Sequence, residues 1–251
     1  MNLQTGFDCS QAGTSQLESL NNVNSGTMVP AYFELSTGLD GCVVLNNDGE
    51  IIQNERYEIL QAITSGNYPN LQIGFYHALY DPTFYPSAMS CYEQGAVFGM
   101  SLANQYIPST YLLLVLDVEE FTFNDNNVTL EHVESCVQEF MNGLESTISG
   151  NFEVMIYTDI NEMKYLCQPP MNTSSSLTAA NLWLANALVS QGFDYSFFEP
   201  TNPQIENYMY DAVNWSGGIA GWQYAESNIV DLDIFDLDII YNANMSYSLI
   251  N

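Results

Sequence analysis

Basic side chains are almost missing from this chain. Arg56 and Lys164 are the only two among 251 residues, against 30 Asp+Glu, and the formal net charge is -28 at pH 7. Nucleic acid is therefore a poor partner, because phosphate binding needs Lys and Arg. Attraction to an anionic membrane surface fails for the same reason, and no apolar run approaches the roughly 20 residues of a membrane span. Histidine is scarce as well. His77 and His132 cannot build a three-His zinc site, and there is no H-E-x-x-H. A P-loop, a G-x-S-x-G and a G-x-G-x-x-G are all missing, so neither a metal nor a cofactor is called for. The acid fraction itself is ordinary. Asn is abundant, and its codons resemble those of Lys, so codon bias alone would have raised both. The deficit reads as selection on charge or on cleavage sites.

Five cysteines are present: Cys9, Cys42, Cys91, Cys136 and Cys167. They show no C-x-x-C and no metal spacing. An odd count leaves at least one thiol unpaired within a monomer, and the sequence chooses neither a pairing nor between bridges and free buried thiols. Sequons at Asn127, Asn172, Asn214 and Asn244 point to an extracellular or lysosomal/phagosomal location. Met1–Thr5 does not read as a signal peptide and leads straight into a strand. A secreted origin would make this a mature chain with an added Met.

Hydrophobic residues make up 47% of the chain, enough for a normal core. Short apolar runs alternate with helical patterns. Strands are expected over Ala31–Leu35, Leu71–Tyr76, Tyr111–Asp117, Phe152–Tyr157, Leu182–Ala185, Ile219–Tyr224 and Ile229–Phe235, besides the first at the N-terminus. Leu130, Val133, Val137, Phe140 and Leu144 form one helical stripe, with Thr129 placed to cap it. Asn54–Thr64 and Ser87–Gln105 read as two more helices. Strand–helix–strand alternation implies parallel strands and an α/β architecture. At this length, without a linker, one barrel spanning 1–251 is favoured. From about Gly217 two strands follow with a short connection, so the barrel is expected to close with an antiparallel element.

The strongest chemical signal is Tyr111-Leu-Leu-Leu-Val-Leu-Asp117-Val-Glu119-Glu120. Six apolar residues suit a strand buried on both faces, and the acids fall at its carboxyl end, the active-site face of a barrel. Continued strand geometry would put Asp117 and Glu119 on one face, with Cα atoms roughly 6.5–7 Å apart. Neighbouring carboxylates repel, which raises one pKa and makes an acid near neutrality. A bare Asp-x-Glu also fits two solvated acids where a strand meets its loop. Further acids lie at Asp8, in Gly6-Phe-Asp-Cys-Ser10, and in Val230-Asp-Leu-Asp233. Carboxylates with aromatics at strand ends suggest carbohydrate chemistry. His132, in the first turn of the capped helix, reads as merely exposed.

Taken in order, Gly6-Phe-Asp-Cys-Ser10, Gly74-Phe-Tyr-His77, Leu116-Asp-Val-Glu119, Ile156-Tyr-Thr158, Leu182-Trp-Leu-Ala185, and Gly221-Trp-Gln-Tyr224 with Val230-Asp-Leu-Asp233 resemble the family 25 glycoside hydrolases, lysozymes that act as N-acetylmuramidases. The resemblance implies a flattened, irregular β/α barrel, TIM-barrel-like, whose last strands lack helices. It implies Glu119 as the general acid, Asp117 as its partner, and Asp8 and Asp231 as the remaining acids, with Asp231 rather than Asp233 matching the motif. Tyr76, Tyr157 and Trp222 would line the sugar groove, and bacterial peptidoglycan would be the substrate. Two departures stand out. Gln11–Gly41 is Ser/Asn/Thr-rich and does not align, and Leu39–Glu50 looks inserted. A competing reading is a catalytically inactive barrel serving storage, packing or interaction. Four retained acids argue against it.

Overall fold

A computed structural model describes residues 3–9, 14–23, 29–39, 44–45, 51–52, 66–104, 113–121, 128–151, 153–159, 180–190, 219–226, 231–236 and 246–249. The expected helix over Asn54–Thr64, the asparagines of the four sequons, Arg56 and Lys164 all lie outside these residues.

Twelve strands and three α-helices are described. The strands are β1 Leu3–Cys9, β2 Val29–Thr37, β3 Val44–Leu45, β4 Ile51–Ile52, β5 Leu71–Ala78, β6 Leu114–Asp117, β7 Ile148–Asn151, β8 Val154–Asp159, β9 Leu182–Ser190, β10 Ile219–Glu226, β11 Asp231–Asp236 and β12 Ser246–Leu249. The helices are α1 Thr14–Val23, α2 Cys91–Asn104 and α3 Leu130–Glu145. Eight strands close a barrel in the order β1-β11-β10-β9-β8-β6-β5-β2. Neighbours run parallel from β1 through β2, β5, β6, β8 and β9 to β10. β11 is antiparallel to both β10 and β1. Only residues 227–230 join β10 to β11, too few for a crossover helix, so this irregular α/β barrel closes without one there. β7 pairs with β12 and β3 with β4, each outside the barrel.

Residue parity sorts each strand into an inner and an outer face. Phe33 and Phe75 take the outer parity and are buried, as are Leu114 and Leu116. A strand covered on both sides explains why Leu114–Leu116 shows no alternation. Inside, Tyr32 packs its ring on Trp183, centroids 5.0 Å apart, and Trp183 packs on Tyr157 at 4.8 Å.

Helix α3 realises its predicted stripe: Val133, Phe140 and Leu144 are buried, and Thr129 caps it by accepting from the His132 backbone N–H. Ser90 and Glu93 form a capping box at the start of α2. The two helices approach closely because glycines face each other's backbones. A Cβ on Gly95 would lie 1.9 Å from the Phe140 carbonyl oxygen, and one on Gly143 equally close to that of Tyr92. A Cys91–Cys136 disulfide joins them. His77, buried on the outer face of β5, ties the barrel to α2. Gln94 donates to the carbonyls of Tyr80 and Met89, so its oxygen is an acceptor and faces His77 Nε2 at 3.1 Å; Ser36 holds Nδ1 at 2.7 Å. Among the described residues no helix is long and apolar enough to cross a membrane.

Candidate active site

Parallel strands deliver their carboxyl ends to one rim of the barrel, and the acids gather there. β6 ends at Asp117, held by its carbonyl accepting from Leu79 N–H at 2.9 Å, while Val118 N–H donates to the Tyr157 carbonyl at 3.0 Å. Glu119 does not continue the strand, as its spacing had suggested. It begins a 3₁₀ turn, Glu119–Phe121, and its N–H donates to Asp117 Oδ1 at 2.9 Å. The Asp side chain captures the backbone two residues on and thereby ends the ladder. The pair is adjacent through a turn instead of along an extended strand.

Asp117 is pushed up to about 7. Burial is the main cause, and the charges of Glu120 and Glu34 add to it; the Glu119 N–H works the other way. Neither Glu120 nor Glu34 stood out in the sequence. Glu34 lies in β2 opposite Tyr76, and an acid inside a buried apolar strand was the available signal. Tyr80 and Tyr85 complete that wall. Their rings meet edge-on at 4.9 Å, and Tyr85 Oη donates to Glu120 Oε2 at 2.9 Å. The Tyr80 phenol is raised to about 12 by burial, then by Glu120, Glu34, Tyr85 and Asp117. No pattern in the sequence marked these two tyrosines.

Tyr157 sits at the centre. Its phenol is raised well above 10, first by burial and then by Glu119, Asp8, Asp117 and Asp233, so it stays protonated among four acids arriving from three places in the chain. It donates to Gln223 Oε1 at 2.9 Å, and Gln223 Nε2 donates to Asp8 Oδ2 at 3.5 Å. Asp231 stands opposite Asp8 in register, at the same rim. Asp233, one step deeper and opposite Gly6, is fully buried and accepts from Trp183 Nε1 at 2.8 Å. Tyr76 is buried on the inner parity of β5. Trp222 has the opposite parity from Gln223 and is fully buried, which puts it on the outer face of β10; the adjacent Gln223 faces the site. His132 is not simply exposed, for it bonds the buried Asp81 through Nε2. Among the described residues no group of three His, Cys, Asp or Glu side chains is placed to hold a metal ion.

No family model matches the chain, and no curated protein does. Solved structures match. The spore cortex lytic enzyme SleM of Clostridium perfringens superposes with a TM-score of 0.57 at 16% identity, over 96% of this chain and 69% of that one. A family GH25 lysozyme from Aspergillus fumigatus superposes with a TM-score of 0.52 at 15% identity, over 94% of each chain. At such identities the likeness is one of fold alone: the chain shares an irregular α/β barrel with these two proteins, and it carries buried polar residues at its rim.

Proposed function

We propose that this chain is a lysozyme that hydrolyses the β-1,4 bond between N-acetylmuramic acid and N-acetylglucosamine in bacterial peptidoglycan, and that residues 1–251 form one catalytic domain. The observation that carries the reading is the Asp117–Glu119 pair at the carboxyl end of β6, with Asp117 held up to about 7. Glycoside hydrolysis needs one carboxyl that keeps its proton and another group to stabilise an oxocarbenium-like centre. Glu119 protonates the leaving oxygen, the role that its place in Leu116-Asp-Val-Glu119 implies, while the carboxyl held up by burial is that of its neighbour Asp117. Asp117, neutral below about 7, orients the substrate acetamido group at acidic pH; once ionised it stabilises the developing cation. Asp8 and Asp231 supply the remaining negative charge, and Tyr76 and Tyr157 border the sugar. Trp222, on the outer parity, supports the wall from behind. The Cys91–Cys136 bridge supports a location in an oxidising compartment, extracellular or lysosomal/phagosomal. Clearing of bacterial wall suspensions across pH 4 to 7 tests the proposal. Lysis is expected at acidic pH; no lysis at any pH would leave the inactive-barrel reading standing.

A further inference from the structure

Gln223 is buried on β10 between two strands that approach it from opposite directions. Its oxygen receives the Tyr157 phenol proton at 2.9 Å and its nitrogen faces Asp8 Oδ2 at 3.5 Å. The reverse orientation of the amide would set its oxygen against a carboxylate oxygen, which is repulsive unless Asp8 is protonated. The orientation of one amide thus couples the charge of Asp8 to the direction of the Tyr157 hydroxyl.

We infer that Gln223 is a positioning residue: it holds Asp8 as an anion and commits the Tyr157 proton to its own amide oxygen on β10, so that the phenol oxygen offers lone pairs, not a proton, to the reacting groups. A phenol that presents lone pairs can accept from a protonated carboxyl of the Asp117–Glu119 pair, or face the electron-poor sugar carbon. One that presents its proton would instead hydrogen-bond the carboxylates and favour their ionised form, which works against the acid role. The titratable groups facing this trio are Asp117 from β6, Glu119 from the following turn, and Asp233 from β11, with Asp231 opposite Asp8 in register. The kinetic consequence rests on the glycosidase reading; the polarity of the chain does not.

The test compares Gln223→Glu, Gln223→Leu and Tyr157→Phe with the parent protein, each checked by circular dichroism for an intact fold. A glutamic acid can accept from Tyr157 and donate to Asp8 only while it holds a proton. Gln223→Glu should therefore keep most of its wall-lytic kcat near pH 4.5 and lose roughly tenfold or more by pH 7, beyond the parent's own decline. Gln223→Leu should lose on the order of 10²-fold at every pH, with KM nearly unchanged, since misplaced groups cost that much. The Asp8 carboxyl, followed by ¹³C NMR, should titrate at higher pH in Gln223→Leu than in the parent, whether or not the parent lyses walls. A parent with no lysis would sink the glycosidase reading alone. An unmoved Asp8 titration in Gln223→Leu, or a Gln223→Glu profile parallel to the parent's, would overturn the inference itself.

Discussion

In the proposed reaction Asp117 and Glu119 have different jobs because their surroundings differ. Asp117 is the last residue of a buried strand and faces Glu34 and Glu120, whereas Glu119 lies on a turn at the rim. Glu119→Gln is nearly isosteric and removes the proton donor, so rate should fall by roughly three decades or more with the melting temperature little changed. Asp117→Asn tests the environment instead. Its carboxyl binds a proton up to about 7 in the folded protein and only to about 4 in an unfolded chain. Between those values the native state holds more protons, so wild-type stability falls as pH rises through that window. Asp117→Asn keeps an acceptor for the Glu119 N–H and has no charge to bury. It should be more stable than wild type at pH 7, on the order of 1–3 kcal/mol after allowing for solvent screening, and equal to it near pH 4. Denaturant titrations at the two pH values read this directly, and a pH-independent difference would refute it. The acid pair could be read from the sequence because six apolar residues ran into it. Glu34, Glu120, Tyr80 and Tyr85 could not be read as a group: only the registers of β2, β5 and β6, with the turn after β6, bring them together.

At the scale of elements, the helices guard the site indirectly. The segment between β5 and α2 carries Tyr80 and Tyr85 to the rim. It is fastened by Gln94 of α2, which bonds Tyr80 N–H, Tyr80 carbonyl and Met89 carbonyl, and by His132 of α3, which bonds Asp81. The disulfide and the facing glycines lock α2 to α3 beside that segment. Closing 45 residues of sequence separation, the bridge is worth about 4 kcal/mol on chain-entropy grounds. Reduction, or the double change Cys91→Ser with Cys136→Ser, should lower stability by about that amount; a loss under about 1 kcal/mol would mean that α2 and α3 are held without it. Gly143→Ala should cost about 1–3 kcal/mol by overpacking, measurable by thermal melts. The α3 stripe and its Thr129 cap were legible because they are local in the chain. Strand centres were legible too, but not their ends: β5, β9 and β10 run past the expected boundaries, and the pairing that extends them comes from distant segments. The choice of Cys91 with Cys136 likewise needs the packing of two helices, which no spacing rule contains.

The barrel joins its two ends through β1 and β11, so the rim acids Asp8 and Asp231 depend on closure of the whole sheet. On the proposed reading, the charge of the whole chain also sets how the site meets a bacterial wall. At neutral pH it carries about -28, and a bacterial wall is itself anionic, so approach is opposed over a Debye length of roughly 8–10 Å. With a pI near 4.1, most of that repulsion disappears between about pH 6 and pH 4 as carboxylates titrate, and the same fall keeps the acid pair protonated. The optimum should lie near or below about pH 5. Salt should raise activity at pH 7 by screening and matter little at pH 4.5. An optimum above pH 7 without salt activation would make the acidic surface irrelevant. The central claim, that Glu119 and Asp117 cleave a wall glycan, is tested most directly by the reducing ends released from purified peptidoglycan at pH 4.5. Wild type should release N-acetylmuramic acid ends, and Glu119→Gln fewer by roughly a thousandfold; no release by wild type, or a tenth of its rate kept by Glu119→Gln, would contradict the account.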